Sequence, residues 1–222
     1  MSTVVLKCGG AVAGTADAGV GALVASGRDV CVVPGAGPQI SAEMELLGLP
    51  IRFVRGRRVT GPEALAVVRA SLAHVNAELC AALGPKTVGF MGDEIGLEAR
   101  RIPELGLVGE PLPSRPAAVS EALSAGRIPV VAPLARGPLN VNADEAACAL
   151  AVGLGAKRLL FLTDVPGVLV EGSLVPSIEA DEADRLLDDG SFEGGIVPKL
   201  RAAVRAARAG MHAEIGETVV LP

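Results

Sequence analysis

The chain has no tryptophan, no tyrosine and only 4 phenylalanines in 222 residues. Its core must therefore be built from Val, Leu, Ile and Ala. With 50% of the residues apolar there is enough material for a sizeable one, and that composition suits parallel strands buried on both faces. Cysteine is scarce. Cys8, Cys31, Cys80 and Cys148 are scattered and form no CxxC pair, which argues for buried, reduced thiols over a thiolate metal cage or a disulfide framework. His74 and His212 each stand alone, without a metal-ligand partner at useful spacing. Neither a GxxxxGK[ST] phosphate loop nor a spaced GxGxxG with a ribose-binding acid occurs.

Positive charge is not concentrated either. The formal net charge is −5 and the pI about 5.2. Arg55, Arg57 and Arg58 fall in a segment of alternating apolar residues, and Arg201, Arg205 and Arg208 have the spacing of a solvated helix face. No nucleic-acid partner is expected from that pattern. The N-terminus has no basic region followed by an apolar stretch, and no uninterrupted apolar run reaches the ~18 residues of a bilayer span. No membrane partner is expected, and a cytoplasmic location is.

What is present is an alternation of short apolar runs and helical stretches. Strands are expected at 3–8, 29–34, 86–91, 128–133, 158–162 and 218–221, and helices at 17–26, 39–47, 116–125, 142–154, 179–187 and 197–209. Between them, 51–59 reads as extended, 94–113 as a hairpin over the sheet edge, and 168–170 with 173–176 as a small hairpin. The spacing of Thr60 and Glu63, with Pro62 inside the first turn, is that of a capping box. The helix behind it carries Leu65, Val68, Leu72, Val75 and Leu79 on one face. A βαβα order implies a parallel sheet with right-handed crossovers. Strands and helices begin afresh near residues 137–140, so two lobes of one domain are expected, about 1–137 and 138–222.

Several residues stand where chemistry could occur. Lys7 closes the first strand before Gly9 and Gly10, and ligands of open α/β sheets bind beyond the carboxyl ends of strands. Lys7 could neutralise an anion there, or could simply leave the strand into solvent. Gly35, Ala36 and Gly37 form a second strand–turn–helix junction, and a helix start presents unpaired N–H groups and partial positive charge. At the start of the 142–154 helix, Asn142 reads as an N-cap, Glu145 as its capping-box acid and Asp144 as a favourable charge. Asn140 is left without a structural reason. Lys199 is the more telling residue: a cation in the first turn of a helix opposes the helix dipole, whereas Asp or Glu would favour it. A lysine there makes sense if it and the helix start attract one anion. Asp164 initiates a turn or contacts a nucleotide. Arg58 could hold a carboxylate bidentately. Alternation sends Arg57 and Arg58 opposite ways, so only one should face a pocket.

The segments VVLKCGGA, VVPGAGPQI, GRRVTGPEAL, ELGLVGEP, NVNADEAACALAVGLGAKRLLFLTDVPGVL and GGIVPKLRAAV together resemble the amino acid kinase family, in that family's order and over most of the chain. The resemblance implies an α/β fold, a three-layer αβα sandwich with a mostly parallel central sheet. It implies phosphoryl transfer from ATP, with Mg²⁺ held mainly by the nucleotide, to the side-chain carboxylate of N-acetyl-L-glutamate, a step of arginine biosynthesis. A related acid such as an aminoadipate derivative, possibly carrier-bound, and a non-catalytic nucleotide-binding homologue are the alternatives.

Carried over by residue, Lys7, Lys199 and Asp144 would be catalytic. Ala36, Gly37, Arg58 and Asn140 would bind the acceptor. Gly9, Gly10, Gly35, Asp164, Val165, Pro166, Gly167, Val168, Leu169, Ser191, Phe192 and Glu193 would bind phosphate and nucleotide. The acceptor would sit in the N-terminal lobe and ATP in the C-terminal one. Where the family writes His-Gly-Gly-Gly, this chain has Pro34-Gly35-Ala36-Gly37, so a methyl group stands where the acceptor should approach. The chain opens at its first strand, without the N-terminal helix that arginine-inhibited relatives use to form hexamers. A homodimer without arginine feedback is therefore expected.

Overall fold

The computed structural model describes residues 2–9, 13–163 and 165–222. The strands are β1 Thr3–Cys8, β2 Asp29–Pro34, β3 Phe53–Val54, β4 Arg57–Arg58, β5 Thr87–Met91, β6 Ala99–Arg101, β7 Val108–Pro111, β8 Ile128–Ala132, β9 Leu134–Ala135, β10 Leu139–Val141, β11 Arg158–Leu162, β12 Leu169–Val170, β13 Ser173–Leu174, β14 Ser177–Glu179, β15 His212–Ile215 and β16 Thr218–Leu221. The helices are α1 Ala13–Ala25, α2 Gly37–Leu46, α3 Pro62–Leu83, α4 Ala117–Ser124, α5 Ala143–Leu154, α6 Ala180–Asp188 and α7 Ile196–Arg208. The main sheet has 8 strands in the order β14-β16-β15-β11-β1-β2-β8-β5, and every neighbouring pair is parallel except β15 with β16.

Strand periodicity divides the core. Leu6, Val30 and Val32 pack with Val20 of α1 and Leu79 of α3 on one side. Val5, Cys31 and Val33 pack with Leu150 of α5 and Leu200 of α7 on the other. The central strands are thus buried on both faces, as their unbroken Val-rich runs require. Lys7 shares the face of Val5, which turns it toward α5. In register it lies beside Val33 and Phe161.

The helix α3 is long and apolar enough to match a bilayer span by composition, with a mean hydropathy of 1.2. It is a core helix whose buried face includes Val68, Leu72 and Leu79.

One local expectation changes. Thr60 does not cap α3: Gly61 is the N-cap, and the Thr60 hydroxyl donates to the Arg58 carbonyl at 2.8 Å and accepts from Asn140 Nδ2 at 2.9 Å. Residues 94–113 form the expected hairpin, with β6 antiparallel to β7. They supply β6 and β7 to a second sheet, β6-β7-β10-β9, because β7 pairs in parallel with β10. The stretch 137–140 is the turn and start of the β9–β10 hairpin in that sheet. The strand β15 has no counterpart in the sequence reading, since the four residues HAEI carry too short a pattern to register.

Candidate active site

Three side chains converge beyond the carboxyl ends of β1 and β11. Asp144 stands in the first turn of α5, where Asn142 caps the helix by accepting from the Asp144 and Glu145 N–H groups at 2.9 and 3.1 Å. Lys7 Nζ lies 3.0 Å from Asp144 Oδ1, with both side chains 7% exposed. Lys199 Nζ lies 3.9 Å from Asp144 Oδ2 and donates to the Gly195 carbonyl at 3.2 Å. Two ammonium groups 192 positions apart in sequence (199 − 7) therefore share one carboxylate. Among the described residues both amines share the Asp144 carboxylate, an arrangement that lets the two of them also meet an incoming negative group. The start of α5 adds its dipole in the same sense.

A cleft opens on each side of this centre. The first, of about 180 Å³, is bounded by Lys7, Asp144, Arg58, Asn140 and the turn at Gly35, Ala36 and Gly37. Arg58 is 6% exposed. Its guanidinium donates to the Gly37 carbonyl at 3.1 Å and to Ser41 Oγ at 2.8 Å, and lies 4.6 Å from the centre of the Phe53 ring. Among the described residues no carboxylate pairs with it, and burial lowers its pKa. A buried guanidinium held only by neutral groups is suited to an incoming carboxylate. Asn140 is oriented by its bond to Thr60.

Gly35 contributes space more than a donor. Its N–H is committed to the Cys8 carbonyl at 2.8 Å, and an added Cβ would come within 3.6 Å of Lys7 Nζ. Ala36 sits at φ −130° and its side chain joins the cluster of Ile40 and Met44. The methyl group thus meets no left-handed backbone requirement and belongs to the core. Gly37 opens α2, whose positive end faces the cleft.

The second cleft, of about 410 Å³, lies beyond Lys199 and is walled by Val165, Gly167, Leu169, Phe192 and Glu193. Val165 and Leu169 are 42% and 44% exposed, so apolar surface is presented to a ligand. Pro166, Val168 and Ser191 are not in this wall. The Pro166 carbonyl accepts from Glu217 N, Val168 is fully buried with its N–H on Thr218 Oγ1, and the Ser191 hydroxyl donates to Asp189. Gly9 follows the last residue of β1, two positions after Lys7. Gly10 and Asp164 lie outside the described residues.

The sequence profile of the amino acid kinase family matches residues 2–217. The chain belongs to that family. An acetylglutamate kinase of Rubrobacter xylanophilus is 43% identical over 97% of this chain and 88% of its own length. One from Geobacillus kaustophilus is 42% identical over 92% of this chain and 85% of its own. A protein of known structure from Streptococcus mutans superposes with a TM-score of 0.90 at 26% identity, covering 99% and 98% of the two chains. Carbamate kinase from Giardia lamblia, solved with AMP-PNP, has a TM-score of 0.72 over 99% of this chain and 98% of its own. At 17% identity that likeness speaks for the fold alone.

Within this amino acid kinase, sequence reasoning missed several residues that border the clefts. Phe53 and Asn142 line the first, and Thr163, Gly195 and Ile196 the second. Asn142 was hidden by its role as a cap, which it also fills. Gly195 and Ile196 could have been found from Lys199, since they immediately precede its turn. Both Arg57 and Arg58 border the first cleft, with heads that part: Arg58 reaches α2 and Arg57 reaches Glu145 at the start of α5. Glu145 is therefore an ion-pair partner of Arg57, not a capping-box acid.

Proposed function

We propose that this protein transfers the γ-phosphoryl group of ATP to the side-chain carboxylate of N-acetyl-L-glutamate, yielding an acyl phosphate and ADP for arginine biosynthesis in the cytoplasm. The observation that carries the reading is the convergence of the Lys7 and Lys199 amines on Asp144 between two clefts. The names and high coverage of the relatives support the choice of acceptor.

In this reading the smaller cleft, in a lobe of about residues 1–137, takes the acceptor. Its α-carboxylate meets Arg58 and Asn140, and its side-chain carboxylate lies beside Lys7 and the turn at Ala36 and Gly37. The larger cleft, in a lobe of about residues 138–222, takes ATP, with the base against Val165, Leu169 and Phe192. The acceptor is already ionised at neutral pH and needs no base. Its obstacle is repulsion from the triphosphate, and Lys7, Lys199 and the starts of α2 and α5 oppose it. A carboxylate oxygen forms a bond to the γ-phosphorus in line as the bond to the β-phosphate oxygen breaks. Asp144 holds both amines in place and takes no proton.

Among the described residues no group of three metal-ligating side chains occurs, and the Asp144 carboxylate is already shared by two lysines. These residues fit Mg²⁺ that arrives on the triphosphate, where it would neutralise phosphate charge. A homodimer is the expected assembly.

The test is trapping. With ATP, Mg²⁺ and hydroxylamine, N-acetylglutamate should yield an acyl hydroxamate. Product from N-acetylaminoadipate in its place would reassign the acceptor, and no product with either acid would overturn the kinase reading.

A further inference from the structure

The hairpin that carries Arg58 is tied down at its other end in a way that substrate binding alone does not explain. Its two-residue turn has both residues at positive φ, Arg55 at 50° and Gly56 at 76°. Gly56 faces Pro198 so closely that an added Cβ would stand 3.3 Å from the ring. The Gly56 carbonyl accepts from Asn142 Nδ2 at 3.1 Å. One residue later, Arg57 grips Glu145: Nε lies 3.2 and 3.0 Å from the two carboxylate oxygens and Nη2 2.8 Å from Oε1. Glu110 flanks the same guanidinium at 3.6 Å. Burial alone would lower the Arg57 pKa, but the bonds to Glu145 and the charges of Glu145 and Glu110 outweigh it and leave it raised. The pair is 19% and 14% exposed, enclosed enough for two-pronged geometry to matter.

Glu145 follows Asp144 in the first turn of α5, and Pro198 precedes Lys199 in the first turn of α7. The hairpin therefore rests on the two helical turns that hold the phosphoryl-facing groups, while Arg58 points the other way, into the acceptor cleft. We propose that Arg57 and Glu145 are positioning residues: their ion pair keeps the Arg58 hairpin in register with Asp144 and Lys199, so that an acceptor bound at Arg58 is presented in line with the γ-phosphate. The proposal rests on the kinase reading above and assigns the pair no direct contact with the reacting atoms. Neither residue borders the nucleotide cleft, so nucleotide binding should be indifferent to the pair.

The full chain serves for the test, as Arg57→Ala, Glu145→Ala, the double variant and Arg57→Lys. Each alanine variant is expected to raise the acceptor KM about tenfold while the ATP KM stays within about twofold. The double variant should be no worse than the worse single, because the two residues act as one unit. Arg57→Lys should recover only part of the loss, since an ammonium cannot bind two-pronged. In the protein without substrates, amide exchange over residues 53–58 should quicken equally in both single variants while α5 beyond its first turn stays protected. Additive losses, unchanged exchange in the hairpin, or a large loss in Arg57→Ala with Glu145→Ala silent would overturn the proposal. The last result would make Arg57 a direct ligand of the acceptor. If the unaltered protein makes no hydroxamate, the kinase reading fails by itself, and the exchange comparison still decides whether the pair fixes the hairpin.

Discussion

Lys7 and Lys199 meet the same carboxylate from different surroundings. Lys7 projects from the end of a central strand, between β2 and β11, and sits 3.0 Å from Asp144 with its side chain 7% exposed. Lys199 projects from the first turn of a helix, sits 3.9 Å away and is 17% exposed. The clefts beside them differ in parallel. The one at Lys7 is narrow and sets charged and polar side chains that are already oriented among apolar ones, and the one at Lys199 is wider and presents exposed apolar side chains. Selection by fixed charge on one side and by shape on the other follows from that contrast. A small acid with two carboxylates can be read by placed cations, whereas a nucleotide offers a flat base and a phosphate chain that brings its own counter-charge.

Removing the lysines tests the contrast most severely. Lys7→Ala should lower kcat by about 10²–10³-fold or more, and Lys199→Ala by somewhat less, about 10²-fold, because the second amine is farther off and better solvated. Far-ultraviolet circular dichroism should show the fold intact in both. Equal losses would erase the distinction between the two positions, and near-normal turnover in either variant would remove that lysine from the chemistry. Next in size is Arg58→Ala, expected to raise the acceptor KM by about 10–100-fold with little change for ATP. On the other side, Phe192→Ala should raise the ATP KM only several-fold, about what losing part of an apolar contact gives, and should leave the acceptor KM alone. A crossed pattern, with Arg58 affecting ATP or Phe192 affecting the acceptor, would exchange the two clefts.

The smallest effect concerns how dry the sheet interior beside Lys7 is. Burial pushes the Cys8 thiol from 9.0 up to about 12, with Lys7 pulling weakly the other way, and burial alone does the same for Cys31. A thiol that ionises near 9.0 when unfolded and near 12 when folded keeps its proton in the folded state across that window. Stability should therefore be insensitive to these thiols at neutral pH and decline as pH rises above 9, by at most about 1.4 kcal/mol per pH unit for each. Urea titrations of the parent protein and of Cys31→Ala between pH 8 and 11 would show it. The same slope in both proteins would mean that the Cys31 thiol is not held in its neutral form.

How much of this the sequence disclosed depended on the range of the interaction involved. The strands at β1 and β2 and the Asn142 cap were legible because apolar runs and caps are decided within a few residues. Lys199 was legible because its charge has the wrong sign for its place in a helix. Thr60 and Glu145 were misread for one reason: each had a plausible local partner and was claimed by a distant one, Asn140 at 80 positions and Arg57 at 88. The order of the main sheet, the second sheet and the approach of Gly56 to Pro198 depend on pairings between remote segments, which no local pattern encodes. The family resemblance supplied the layered architecture, but it carried Pro166, Val168 and Ser191 into the nucleotide wall, where the geometry gives their polar groups other partners.

The position of Phe192 in a chain without tryptophan or tyrosine has a practical consequence. The protein is nearly transparent at the wavelengths used to excite indole, so Phe192→Trp would place a sole emitter in the wall of the wider cleft. Its quenching or shift on addition of nucleotide would be read against no background from elsewhere in the chain. Occupancy of that cleft could then be titrated independently of turnover.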